Sequence, residues 1–503
     1  MCLLLEQSVT ESSAYPNDDP ARDLVIEAIR TWRHNDSFDD TSQNQNHKNN
    51  SPQKTWLDFA VNLPGGEYLS LTFDRLSIGA FTSRLGNRLL WWPAGQEERR
   101  RISVVSSRLG ERKDLHRHWF DALRTVAVRC DPQQECLCVV DGTAACEAVS
   151  RAAALFGIPL LRLVIDPRQI IDPEVLVDWY RASRRQASQE DPLCMQVRIS
   201  PAFQTSKVSS TIGELSLVDA ALVFAGERII ALSCRKGGTV QRLLLHSLQQ
   251  QSPQPTVLVF DDRDDARTST RDELSAAGAV PWLLDGYQDD YAATAGDTGR
   301  APATAACPPP SGPLHSPDEW LCHWTRPRRG PWPDESADDF WDALIMGCAS
   351  ADHSAVGALL RIIETRQLLP SELSHDAVSW TAVPLNEFGK RRVYRRHFRR
   401  YDFEPWGVAV RRSALLNSGC RPVVYVHPDA DDEEENGPAW ERQPATDSSG
   451  RIDWTTEREW RILGCVDLAT FVAEDVFIFA NSSAEAAVLQ SLSPWPVIKV
   501  PET

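Results

Sequence analysis

Apolar positions along this chain follow two regimes, unbroken short runs and runs spaced at helical period. RISVVSS (101–107), CLCVVDG (136–142) and PLLRLVI (159–165) are unbroken and of strand length, as strands buried on both faces are. Between them, Leu115, Trp119, Ala122, Leu123 and Val126 share one helical face, and Cys146, Val149, Ala153 and Phe156 share another. The order strand, helix, strand, helix, strand predicts a parallel sheet covered by helices. Two further apolar runs, ALVFAG (221–226) and IIALSC (229–234), lead into RKGGT (235–239). A helix carrying Val240, Leu243, Leu244 and Leu248 follows, then the strands TVLVF (256–260) and AVPWLL (279–284).

Upstream, WLDFAVNL (56–63) and EYLSLTF (67–73) flank a Pro-Gly-Gly turn and predict a β-hairpin, against which Trp91 and Trp92 can pack. Residues 35–54 are almost free of apolar side chains and predict a flexible loop. Residues 289–317 are rich in Pro, Ala and Gly and predict a linker. The organisation expected is a largely flexible region over 1–54 and a Rossmann-like α/β domain over 55–285. A linker over 286–330 and an α+β domain over 331–503 complete it. In that last domain a helical stretch buries Ile345, Leu359, Ile362 and Ile363, the acidic run 429–438 reads as a solvated loop, and Pro501–Thr503 as a tail.

Composition narrows the function. The chain has 503 residues, a net charge of −17 and 42% hydrophobic residues, so its surface as a whole repels nucleic acid and only a local basic patch could hold a polyanion. No run approaches the ~20 apolar residues of a membrane span. The start, MCLLLEQSVTESS, lacks a basic region, so a cytoplasmic location is expected. Twelve cysteines are scattered without a CxxC pair or an accompanying histidine pair, and no metal site is expected. Cys130, Cys136 and Cys138 read as buried reduced thiols. His116 and His118 are too close in sequence to share a helix face.

The candidate chemistry lies at strand-to-helix turns, where glycine allows close backbone approach and a helix start offers N–H groups to a phosphate. Three turns qualify: Ser106-Ser107-Arg108, Gly142-Thr143 after Asp141, and Gly237-Gly238-Thr239. The segments VVSSRLG, LCVVDGTAACEAVSRAAALFGIPLLRL and VDAALVFAGERIIALSCRKGGT resemble the SLOG superfamily, the group of DprA- and LOG-related proteins and of sensors of nucleotide signals in bacterial defence. That resemblance implies a nucleotide or NAD-derived ligand, a phosphate-bearing small molecule in either case. LOG-type enzymes carry PGGxGTxxE, whose acid assists cleavage of an N-glycosidic bond. Here Gln241 and Arg242 stand where the carboxylate belongs, which favours a binder over a hydrolase. Glu147 and Glu214 are the substitutes available, and Glu147 also reads as an ordinary helix-start charge.

Beyond the linker, SWTAVPL, PWGVAVRRSALLNSGCRPVVYV and EREWRI occur in the order found in AbiGi-like abortive-infection proteins, which they resemble. The chain departs at Trp406-Gly407, where Tyr-Gly is more usual, and in its acidic insertion. The resemblance implies a role in antiviral defence and a protein partner from the same operon. Two chemistries remain open here. Glu459, with Arg461 and Tyr425 as helpers, suits an ADP-ribosyltransferase-like cleft, or else EREWR is a strand with ordinary surface pairs. The run KRRVYRRHFRR (390–400) brings Arg395, Arg396 and Arg399 among Tyr394 and Phe398, as nucleic-acid contacts or as partners of the acidic run. The functions in view are a nucleotide sensor joined to an effector or antitoxin-like domain, an enzyme on NAD or nucleotides, and a nucleic-acid-binding regulator.

Overall fold

A computed structural model describes residues 23, 25–26, 60–62, 67–70, 85–93, 99–170, 172, 174–187, 194–203, 216–250, 255–260, 268–283, 319–370, 376–387, 392–395, 400–401, 403–426, 438–446 and 453–500. The expected flexible stretch 35–54, the linker 289–317, most of the acidic run and the tail lie outside these residues. The chain divides into two compact units, 1–110 with 116–285, and 111–115 with 286–503.

In the first unit, β1 (Ala60–Asn62), β2 (Tyr68–Ser70) and β3 (Leu90–Trp92) form an antiparallel edge that contains the expected hairpin. Trp92 stacks on Tyr68 and donates its indole N–H to Ser70 Oγ at 2.8 Å. The main strands follow as β4 (Arg100–Ser106), β5 (Glu135–Val140) and β6 (Leu160–Ile165), with β8 (Cys194–Ile199), β10 (Arg228–Ser233), β11 (Thr256–Phe260) and β12 (Val280–Trp282). A small separate pair joins β7 (Gln169–Ile170) to β9 (Ala202–Phe203).

The sheet order is β1-β2-β3-β8-β6-β5-β4-β10-β11-β12, and every pairing from β8 to β12 is parallel. Strands β4, β5, β6 and β8 are laid down in one direction and β10, β11 and β12 in the other. The order therefore reverses between β4 and β10, as in doubly wound Rossmann-like sheets.

Helices α1 (Arg117–Arg129) and α2 (Cys146–Phe156) pack together, and α3 (Glu174–Ala187) follows β7. Helices α4 (Leu217–Ala225) and α5 (Thr239–Gln250) form a second packed pair, with α6 (Thr268–Ala276) beside α5. The apolar run 221–226 is thus the end of a helix. Ala220–Ala225 are all buried, so no polar face exists to reveal helical period, and a strand-length apolar run looks the same either way. Cys136, Cys138 and Val140 alternate onto the core shared with α4, and Cys130 is buried too.

The helix lies close on the sheet. Ser103 Oγ donates to Leu222 O at 2.6 Å, and a Cβ added to Gly226 would meet Ser103 Oγ at 2.5 Å and its Cβ at 2.7 Å.

The second unit is α+β. Its sheet runs β19 (Arg421–Pro422), β22 (Glu459–Leu463), β15 (Ala377–Thr381), β13 (Trp320–Trp324), β18 (Gly407–Arg411), β24 (Val476–Ala480) and β25 (Val497–Lys499). All neighbours are antiparallel except β24 and β25. Smaller pairs join β14 (Gln367–Leu368) to β23 (Val466–Asp467), β16 (Tyr394–Arg395) to β17 (Arg400–Tyr401), and β20 (Val424–Val426) to β21 (Arg442–Pro444).

Strand β13 falls inside the stretch expected as linker up to 330, yet it is the middle strand of this sheet. Its Trp320, Leu321, Cys322 and Trp324 are buried, and the Pro-rich composition ends before it. Helices α7 (Ala337–Met346) and α8 (Ala355–Thr365), capped by Ser336 and Ser354, bury the predicted Ile345, Leu359, Ile362 and Ile363. Helices α9 (Arg412–Asn417) and α10 (Ser483–Leu492) complete the unit. Among the described residues no helix is long and apolar enough to cross a membrane.

The contact at Gly226 sets a stability test. Gly226→Ala has to push α4 off β4, and should lower unfolding free energy by about 2 kcal/mol in urea titration. An unchanged midpoint would show that α4 has room to move.

Candidate functional site

All three sequence-predicted turns leave the carboxyl ends of parallel strands, and two of them meet where the strand order reverses. Ser107 donates its backbone N–H to Ser233 O at 2.8 Å, and Ser107 Oγ accepts the Arg235 N–H at 2.8 Å. The loops after β4 and β10 are laced together by these bonds. Ser106 is buried and already employed, accepting the Trp119 indole N–H at 3.0 Å and donating to Ser107 O at 2.7 Å. It anchors the loop, while Arg108 next to it is exposed. Gly110 donates its N–H to His116 Nε2 at 3.2 Å, which closes the same loop. Open α/β sheets hold their ligands in the crevice at such a reversal.

The glycine turn after β10 is braced from behind. Gly237 adopts φ +68°, a conformation that glycine tolerates without strain. Its N–H donates to Gln241 Oε1 at 2.6 Å, and Gln241 Nε2 donates to Glu273 Oε2 on α6 at 2.6 Å. Gln241 is buried. Gln241 is therefore a structural clamp between the glycine turn and α6. Gly238 donates to Arg235 O at 2.9 Å, and Thr239 opens α5, whose first-turn N–H groups have no partner within the helix. Lys236 lies 4.0 Å from Glu273, and with Arg235 and Arg108 it adds positive charge to this edge.

The third turn sits one strand away. Gly142 takes φ +86°, and a Cβ there would meet nothing within 4 Å, so the turn faces open space. Thr143 Oγ1 is spent on Val140 O at 2.7 Å. Asp141 pairs with Arg162 and accepts the Cys146 thiol at 3.5 Å. Glu147 is exposed in the first turn of α2, matching its reading as a helix-start charge, and Glu214 lies outside the described residues.

One carboxylate here escaped the sequence reading. Asp219 occupies the first turn of α4, whose start is capped by Ser216 Oγ accepting the Asp219 N–H at 3.4 Å. Burial holds its carboxyl above the usual range, opposed by the Ser216 hydrogen bond and the Arg108 charge. The signal available was Ser216-Leu217-Val218-Asp219, a helix-start spacing that gains meaning only once 221–226 is known to be helical.

In the second unit Glu459, Arg461 and Tyr425 do come together, but as a tie. Arg461 is buried, and its Nε and Nη2 reach the two Glu459 oxygens at 2.8 and 3.0 Å. Its Nη1 donates to Trp440 O at 3.2 Å and Arg442 O at 3.1 Å, and Nη2 also donates to Gln443 Oε1 at 2.6 Å. A guanidinium has five N–H donors, and these contacts occupy them all. Tyr425 OH accepts the Glu459 N–H at 2.9 Å, and burial pushes the phenol up to about 12. A nicotinamide ribose could reach Glu459 only after this tie opened. Of the basic run, Arg395 lies in β16, and Arg396 and Arg399 fall outside the described residues. Among the described residues no cluster of His, Cys, Asp or Glu could hold a metal ion.

No known protein family matches the chain, and no curated protein matches it. Among solved structures, DNA processing protein A (DprA) from Streptococcus pneumoniae is similar at 13% identity, with a TM-score of 0.26. The match covers 41% of this chain and 65% of that one. The Rossmann-like assignment accordingly stands on strand order and parallel pairing.

Two variants test these assignments. Arg461→Ala strands the nearly buried Glu459 carboxylate and should cost about 3–5 kcal/mol in urea unfolding, whereas a site residue without structural duty would cost little. For Asp219 the raised folded pKa means that the folded state binds the proton more tightly than the unfolded one. Stability is therefore lost as pH rises from 3.8 through that raised value. Asp219→Asn should melt above the wild type at pH 7, with the gap closing toward pH 4. A gap independent of pH would contradict this.

Proposed function

We propose that the first unit binds a nucleotide or nucleotide-derived molecule in the crevice between the β4 and β10 loops, and that it senses this ligand rather than cleaving it. The observation that carries the reading is the reversal of strand order at β4 and β10, with Ser107, Arg108 and the Gly237-Gly238-Thr239 turn gathered there. Phosphate would take the first-turn N–H groups of α5, where the helix dipole favours negative charge, with Arg108 as the nearby cation. The glycine turn presents an amide, Gln241, rather than a carboxylate, and that amide is committed to Gly237 and Glu273. In this reading the second unit is the effector or antitoxin-like part of an abortive-infection system, supported by the order of its sequence motifs. Ligand binding would act on it only through a preference for one state of the chain.

Thermal shift against a panel of nucleoside mono-, di- and triphosphates, NAD and ADP-ribose tests the proposal. A ligand at a hundred times its Kd stabilises by about 2.7 kcal/mol, a readily measured rise in Tm. At least one member should give it, and Arg108→Ala should remove most of it. Absence of any shift across the panel would refute the sensor reading.

A further inference from the structure

Between β13 and α7 the chain reads TRPRRGPWPDES (325–336), a stretch broken by Pro327, Gly330, Pro331 and Pro333. Proline donates no N–H, so such a stretch takes no place in a helix or a ladder and must be held by other means. One imidazole gathers it. His353, in the turn between α7 and α8, is 0% exposed. Its backbone carbonyl accepts the Arg328 N–H at 2.9 Å, and its Nδ1 donates to Gly330 O at 2.8 Å. The Trp332 ring lies 4.5 Å from the imidazole, and the Phe340 ring of α7 lies 4.8 Å from it. Further along, Asp334 pairs with Arg361 of α8 at 2.6 and 2.7 Å, and the same guanidinium lies 5.5 Å over Trp332.

The other ring nitrogen is left over. A carbonyl can only accept, so Nδ1 carries the proton and Nε2 of the neutral ring is a bare acceptor. It is buried and has no hydrogen-bond partner. Opposite it, at 3.5 Å, stands Glu335 Oε2, a second acceptor that already takes the Trp332 N–H at 2.9 Å. Asp114, from the 111–115 stretch of this unit, also favours a charge on the ring, and Arg328 opposes one. Asp352, beside His353 in the chain, accepts the Ser354 N–H at 2.9 Å, and Phe340 brings no charge. A proton reaching Nε2 would find one acceptor, at the far limit of hydrogen-bond length. The resulting charge would be buried and incompletely compensated, which is a costly state. Burial accordingly outweighs Glu335 and holds the imidazole below its ordinary value.

We propose that His353 is an acid-released clasp. Neutral, it fastens residues 325–336 against α7 and α8, and a proton taken from solvent onto Nε2 lets that stretch go. The fold favours the neutral ring, so the stability contributed by the clasp is complete above 6.5 and is lost as pH falls from 6.5 through the lowered folded value. The opening is local, because neither the core around Trp380 nor that around Phe403 includes His353, Trp332 or Phe340. Release would uncover Trp332 and free Arg361 from it. The device does not depend on the β4–β10 crevice or on whatever ligand that crevice takes.

The test follows the full chain from about pH 8 to about pH 5, the range in which imidazoles titrate. In spectra of the chain labelled at its histidines, the His353 signal is the one lost in His353→Gln, and it should titrate below 6.5. Hydrogen exchange, corrected for its intrinsic pH dependence, should show protection falling in peptides from 325–336. One proton allows at most about a tenfold loss per pH unit. Strands β13, β18 and β24 should keep their protection throughout. In His353→Gln the amide can still donate to Gly330 O but does not titrate, so protection of the stretch should no longer vary with pH. Glu335→Gln turns an amide donor toward Nε2 and should push the titration lower still, a shift that mere packing of the ring would not produce. That variant decides the matter even where His353→Gln does not fold. An imidazole titrating at or above 6.5 would overturn the proposal. Loss of protection in the three strands along with the stretch would do so too, as would an unchanged pH profile in His353→Gln.

Discussion

The close approach of α4 to β4 is the constraint on which the first unit rests. It requires a residue without a side chain at Gly226, and it uses the Ser103 hydroxyl to satisfy Leu222 O. With that helix seated, the sheet is covered on the α4–α5 side by an apolar layer that includes Ala220–Ala225, Leu243, Leu244 and Leu248. A parallel sheet covered in this way leaves its carboxyl edge as the place where loops can vary without disturbing the core. The turns that the sequence singles out all emerge at that edge.

The two units handle polar groups in contrasting ways. At the β4–β10 crevice, hydrogen bonds fix the loops while Arg108 stays open to solvent. At the Arg461 tie the opposite holds, with every donor matched and the ion pair largely removed from water. Buried pairs of this kind are costly to break and contribute more to uniqueness of packing than to reactivity. Charged residues drawn together by the fold are therefore insufficient evidence of catalysis. The count of donors already satisfied separates the two cases.

Much of this architecture was legible from pattern alone. The strands at 101–107, 136–142, 159–165, 229–234 and 256–260 stood out because buried parallel strands are continuously apolar. Glycines 142 and 237 marked turns where positive φ is required. What stayed hidden was context. The run 221–226 has no period to read, so α4 and with it Asp219 were invisible. Strand β13 was masked by the Pro-rich stretch before it, although Trp320 and Trp324 are core residues. The roles of Glu459 and Arg461 depended on Trp440, Arg442 and Gln443, which lie far from the EREWR segment in sequence and are brought to it only by the fold.

The Gln241 clamp carries a mechanical consequence. The same amide group holds the Gly237 N–H on one side and the Glu273 carboxylate on the other, so the glycine turn and helix α6 share one fastener. An anion that claimed the Gly237 N–H would compete with Gln241 for it and loosen the grip on α6. Occupancy of the crevice would then be transmitted to the edge of the sheet at β12, the last strand described before the chain leaves this unit. Such an exchange would trade one hydrogen bond of the clamp for another without any chemistry at the ligand.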